Sequence, residues 1–168
     1  MEATSVKYPA LFKKWRKIVK REIKKHNIKV IPKRYRSNVG TAWAWLRTIK
    51  IPRIVDIESI YVILHEIAHI IYNHQSNYYM EELEAEMYAL AFLRSMNVHK
   101  DFPEDYKLLH NRAIAYVRLQ ISNAFRDGLK IKAIPVKVMK FCKLPVKPKP
   151  IKAKKKSAKR YKNIKKQK

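Results

Sequence analysis

The chain of 168 residues holds only two glycines, Gly40 and Gly128, and one cysteine, Cys142. So little glycine leaves no Gly-rich loop to cradle a phosphate and argues against folds built on many tight turns, in favour of helices. A lone cysteine cannot close an internal disulfide, which fits a reducing compartment. No apolar run is long enough to cross a membrane. The N-terminal stretch alternates Lys with apolar residues and does not read as a signal peptide. These absences lead to the expectation of an intracellular protein, cytoplasmic or associated with a nucleoid or nucleus, and compatible with a viral or phage origin.

Acidic residues are missing from one region altogether. Residues 129–168 carry 17 Lys/Arg and no Asp or Glu, residues 1–50 carry 15 against 2, and residues 51–128 carry 7 against 11. The net charge of +26 therefore sits at the two ends of a mildly acidic middle. Basic ends of this kind point to a polyanion, nucleic acid before an anionic membrane surface. In the tail, Lys154, Lys155, Lys156, Lys159 and Arg160 are the candidate nucleic-acid contacts.

The length suits one domain and is too short for two. Leu11, Phe12, Trp15, Ile18, Val19 and Ile23 recur at helical spacing after Pro9, with lysines and arginines between them, so residues 9–26 form a basic amphipathic helix. "IKVIP" and "VGTAWAWLRTIKIP", within residues 28–55, predict two or three short antiparallel strands, with Trp43 and Trp45 on one face and Gly40 at a turn or bulge. Asp56 or Ser59 caps a largely apolar helix over 57–74. Further helices run from about Tyr79 to Met96 and from Pro103 to Gly128, the last glycine closing its helix. The expected fold class is thus α+β, with one domain over residues 1–128. A Lys-rich, Pro-containing tail covers 129–168: an extended arm first, then disorder from about Pro145.

Within the buried helix stands His65-Glu66-Ile67-Ala68-His69. Residues i and i+4 share a helix face, so both histidines can offer a nitrogen to one tetrahedral ion. Two histidines and a glutamate in so apolar a helix are costly unless they have partners. In this pattern the glutamate serves as general base for a water activated by Zn2+. His74 lies five residues beyond His69 and, on a continuous helix, faces elsewhere, about 140° away. It reads as a helix-end histidine that complements the dipole.

The third ligand is sought in the next helix. Glu82, Ala85, Glu86 and Ala89 fall on one face, and the two alanines allow close approach to the histidine helix. Glu82 can then reach the ion, Glu86 can accept from a ligand histidine's other N–H, and Glu81 and Glu84 point away. Four glutamates here are also what the acidic first turn of a solvated helix would contain.

With both motifs in place, the chain resembles the gluzincin metallopeptidases, and most of all the ImmA/IrrE family, over roughly Ile49 to Met96. The second motif reads Glu82-Leu83-Glu84-Ala85-Glu86-Met87-Tyr88-Ala89, with Glu86 where that family has Asn or Asp and Tyr88 where it has Phe. The resemblance implies a small zincin-like domain and a zinc-dependent endopeptidase. Its Glu66 activates a zinc-bound water, and an edge strand, here "TAWAWLRT", pairs with an extended protein or peptide substrate. The family's substrates imply a repressor-type regulator on or near DNA. A second resemblance is to SprT-like DNA-associated proteases, which combine the same first motif with a third histidine and a basic tail; His99 and His110 would be its sources here. A non-catalytic basic nucleic-acid-binding protein on a zincin scaffold is the alternative outside the enzymes. Tyr78, Tyr79 and His110 are candidates for the donor that stabilises the oxyanion.

Overall fold

The computed structural model describes residues 9–33, 39–75, 78–130 and 133–144. The order of elements is α1 (Pro9–Lys25), β1 (Lys29–Pro32), β2 (Thr41–Trp43), a single 3-10 turn (Ala44–Leu46), β3 (Thr48–Ile51), α2 (Ile57–Ile71), α3 (Tyr79–Ser95), α4 (Val98–Asp101), α5 (Pro103–Arg126) and α6 (Val136–Phe141). This is the α+β class expected, built mostly of helix.

The 57–74 apolar run becomes α2, and its start is set by a reciprocal cap. The Asp56 carboxylate accepts from Ser59 N at 2.7 Å, while Ser59 Oγ accepts from Asp56 N at 3.0 Å, so the two candidate caps act together. Ile60, Ile63, Leu64 and Ile67 of α2 are fully buried, against Phe12, Trp15 and Val19 of α1, Ile49 and Ile51 of β3, and Ala89 and Leu93 of α3. Trp15 also meets Phe102 edge-on at 5.4 Å, which fastens α1 to the entry of α5.

The sheet differs from expectation in two ways. Its order is β1-β3-β2, with β2 antiparallel to β3 but β1 parallel to β3. The central strand comes last in sequence, so the path from β1 passes to the far edge before returning, and β1 and β3 then run the same way. "VGTAWAWLRTIKIP" is also not one strand. The turn at Ala44–Leu46, closed by Arg47 in the left-handed region, splits it into β2 and β3. That break separates the two tryptophans: Trp43 is half-buried, whereas Trp45 is 73% exposed.

A second cluster lies on the other side of α3. Tyr79 and Leu83 of α3, Val117 and Ile121 of α5, and Ile134, Val138, Met139 and Cys142 bury one another. Residues Val136–Phe141 are therefore helical where an extended arm was expected. Val138, Met139 and Cys142 follow helical spacing, and burying them together outweighs the pull of the flanking lysines. Residues 145–168, including the five tail positions singled out above, lie outside the described residues. Among the described residues, no helix is long and apolar enough to cross a membrane.

Candidate metal centre

His65 and His69 lie one turn apart on α2, and the buried Ala85 and Ala89 let α3 approach them closely. The approach delivers Glu82, which is 3% exposed. His65 Nε2 and His69 Nε2 are 3.0 Å apart, and Glu82 Oε2 lies 3.3 Å from the first and 3.7 Å from the second. A tetrahedron with metal–ligand bonds of about 2.0–2.1 Å has edges of about 3.4 Å. The three separations scatter about that edge, so the donor atoms could occupy one face of a tetrahedron around a metal ion. Glu82 Oε2 is buried and makes no hydrogen bond, so the oxygen aimed at both histidines lacks a partner that an ion would supply. Burial alone would raise this carboxyl, but the two imidazoles outweigh it and bring its pKa down to about 2, keeping it anionic. Burial lowers His65, toward the neutral imidazole that metals bind, whereas at His69 burial is outweighed by the Glu82 carboxylate and the pKa is raised.

Glu86, one turn further along α3, places Oε1 3.4 Å from His65 Nδ1 without completing a hydrogen bond. It occupies the place expected for an outer acceptor, and burial pushes its carboxyl up to about 8. Glu66 takes the other flank. Burial, against the opposing pull of His69, raises it to about 7, where a carboxylate can both take and return a proton near neutral pH.

Gly40 explains how Glu66 is held. A side chain at position 40 would overlap Cγ, Cδ and Oε1 of Glu66. The sequence suggested a turn or bulge; Gly40 is not among the positive-φ residues, and space is what requires glycine there.

His65, Glu66, His69 and Glu82 line a cavity of about 350 Å³ whose other wall is the run Gly40–Trp45. β2 is one of the sheet's two edge strands, and its residues Thr41, Ala42 and Trp43 line this opening. A smaller space of about 170 Å³ adjoins it, between Tyr61, Glu86 and Tyr116.

Tyr116 is the residue that sequence reasoning missed. It lines both spaces, and its ring meets His65 edge-on at 6.0 Å. Burial, helped by the Glu82 carboxylate, pushes its hydroxyl to about 12, so it stays protonated and able to donate. In sequence it falls at helical spacing with Leu109, Ala113, Val117 and Ile121, which reads as core; the available signal was its hydroxyl among those apolar neighbours. The donors named from sequence do not line the cavity. Tyr79 is buried in the second cluster with its hydroxyl bonded to that of Tyr78 at 3.2 Å, and His110 rests beside Phe141.

His74 stands elsewhere than expected. α2 ends at Ile71, Asn73 turns left-handed at φ 54°, and the N–H groups of Asn73 and His74 return to the carbonyls of Ile70 and His69 at 3.3 and 2.9 Å. This is a Schellman end with asparagine in the glycine position. It brings His74 back beside His69, where a continuous helix would have sent it away. His99 packs on Tyr106, so among the described residues the third donor at the histidine pair is Glu82. No family model matches this chain, nor does any curated protein or solved structure.

Proposed function

We propose that this chain is a zinc-dependent endopeptidase of the gluzincin type. The observation that carries this reading is the tetrahedral face of His65, His69 and Glu82, with Glu66 beside it in the same cavity. His65, His69 and Glu82 would hold the ion. When bound, zinc supplies a Lewis acid that polarises a scissile carbonyl and makes water acidic near neutral pH. Glu66 takes the proton from the attacking water and returns it to the leaving amine. Tyr116 donates a hydrogen bond to the oxygen where negative charge develops. The outer edge of β2 hydrogen-bonds an extended protein or peptide substrate, and Trp45, exposed at the mouth, offers it an apolar platform.

The third donor favours this form over a SprT-like enzyme, which would need a histidine in place of Glu82. Nucleic acid is the proposed neighbour of the substrate, a repressor-type regulator being the kind expected. Lys13, Lys14, Arg16, Lys17, Lys20, Arg21, Lys24 and Lys25 are all exposed on α1, opposite its buried face. Together with the basic residues of the tail they would make binding steeply salt-dependent, and deleting residues 145–168 is expected to weaken DNA binding and flatten that dependence.

Elemental analysis of the purified chain, paired with a peptidase assay, tests the core of the reading. One zinc per chain is expected in both wild type and Glu66→Gln, with turnover in the wild type alone. A wild type without zinc ends the proposal. A zinc-loaded wild type that binds nucleic acid yet cleaves no protein supports the non-catalytic alternative.

A further inference from the structure

The ring of His74 is almost out of solvent, its side chain 5% exposed, and three neighbours fix it. It stacks on Tyr72 at 5.6 Å and stands edge-on to His69 at 4.9 Å. Its Nδ1 lies 2.9 Å from His69 Nδ1, and its Nε2 lies 3.4 Å from Glu84 Oε2. The other oxygen of Glu84 meets Lys137 Nζ of α6 at 3.3 Å. Glu84 does point away from the metal donors, as its helix position requires, and it reaches His74 instead.

Two nitrogens 2.9 Å apart need one proton between them, and a neutral imidazole carries only one. The chain His69–His74–Glu84 can therefore run in two directions. In the first, His69 donates from Nδ1, His74 accepts at Nδ1 and donates from Nε2 to Glu84. His69 Nε2 then carries a lone pair toward His65 and Glu82. In the second, His74 donates from Nδ1, and the proton of His69 must sit on Nε2, pointing into the donor set and spoiling it. A carboxylate only accepts, so Glu84, whose other oxygen meets Lys137 Nζ, selects the first direction.

We infer that His74 is a positioning residue: with Glu84 it forms a hydrogen-bond relay that orients the His69 ring and fixes its proton on Nδ1, leaving Nε2 free for the metal. This rests on the metal-centre reading above. The two ligand histidines are then supported differently, His65 beside the Glu86 carboxyl and His69 by an imidazole that passes the bond on to a carboxylate. The Schellman end at Asn73 is what makes the second arrangement possible, because it alone returns position 74 to the face of His69.

The full chain loaded with zinc gives the test. Long-range proton–nitrogen correlation spectra should place the proton of His69 on Nδ1 and that of His74 on Nε2. A chelator competition should find zinc binding weakened roughly 10–100-fold in His74→Phe, which keeps the ring packing but accepts nothing. His74→Gln, whose amide oxygen can accept, should recover most of that loss. A His74 proton on Nδ1, an unweakened His74→Phe, or a His74→Gln as weak as His74→Phe would each overturn the relay. Should the variants fail to fold, the wild-type spectra decide alone. A wild type that binds no zinc overturns the metal centre itself, whereas normal wild-type binding with an unaffected His74→Phe overturns only the relay.

Discussion

Glu82→Gln is the substitution on which the site turns. The change keeps size and packing but removes the anionic oxygen that sits 3.3 and 3.7 Å from the two histidine nitrogens. Apparent binding free energies of four-ligand zinc sites run to about 10–16 kcal/mol, so each ligand accounts for about 3 kcal/mol and its loss weakens binding by about two orders of magnitude. Zinc that binds only the folded state adds RT ln(1 + [Zn]/Kd) to stability. With free zinc at about 100 times the wild-type Kd, the wild type gains about 2.7 kcal/mol. At the same zinc concentration the variant stands near its own Kd and gains only about 0.4 kcal/mol. For a domain of this size these correspond to rises in Tm of roughly 10 °C and roughly 1–2 °C. Thermal unfolding with zinc buffered by a chelator measures both, and Glu104→Gln, far out on the surface of α5, serves as control. A Glu82→Gln protein that keeps the full zinc-dependent rise would show that Glu82 is no ligand, however well the three atoms fit a tetrahedral face.

Gly40→Ala should displace the Glu66 carboxylate while sparing His65, His69 and Glu82. A catalytic group moved by about 1 Å can cost on the order of 100-fold, so kcat should fall by about that factor with zinc content unchanged; equal kcat would mean that Glu66 need not stand where it does. Tyr116→Phe removes the proposed donor but not the ring against His65, and kcat should drop by about 10²–10³-fold with KM little changed; a change confined to KM would reassign the hydroxyl to substrate binding. The last concerns stability and pH. Glu22 accepts from His26 at 2.9 Å, Lys25 at 3.1 Å and the Tyr88 hydroxyl at 3.2 Å. Burial opposes its ionisation, but Lys25 and His26 outweigh burial and its pKa is lowered below 4.5. Between the lowered folded value and the unfolded one the unfolded chain holds more protons, so this contribution is present above pH 4.5 and is lost as pH falls below it. Wild type should therefore lose more Tm than Glu22→Gln between pH 6 and pH 3, and parallel losses would remove Glu22 from the account.

Long periodic segments were legible in the sequence for a physical reason: each repeats its apolar face several times. α1, α2, α3 and α5 fall within a few residues of the spans read from spacing alone, and the shared face of Glu82, Ala85, Glu86 and Ala89 follows from helix geometry. The sheet was not legible to the same degree. Its strands run three or four residues, too few for alternation to set pairing or direction, and the 3-10 turn inside an unbroken alternating run leaves no period to detect. α6 was hidden by the lysines around its few apolar positions, whose partners Tyr79, Val117 and Ile121 are distant in sequence. Tyr116 and Gly40 are harder still, since each owes its role to a contact across the fold and looks locally like a core aromatic and a turn glycine.

The scarcity of glycine bears on the site as well as on the fold. Helices that end in a left-handed residue favour glycine there, because any other side chain crowds the following carbonyl. In this chain Gly128 alone fills that role as glycine, at φ 95°, while Asn27, Asn73 and Asn97 adopt φ of 50°, 54° and 64° at the ends of α1, α2 and α3. Asparagine is the residue that pays least for this conformation after glycine. Carrying α2 on to residue 74 turned His74 away from His69. Once Asn73 is given glycine's place, α2 stops at Ile71 and His74 comes to lie 2.9 Å from His69. His65 and His69 present Nε2 toward Glu82, and His74 stands against the far side of His69, so the three histidines of residues 65–74 meet at one place in the fold.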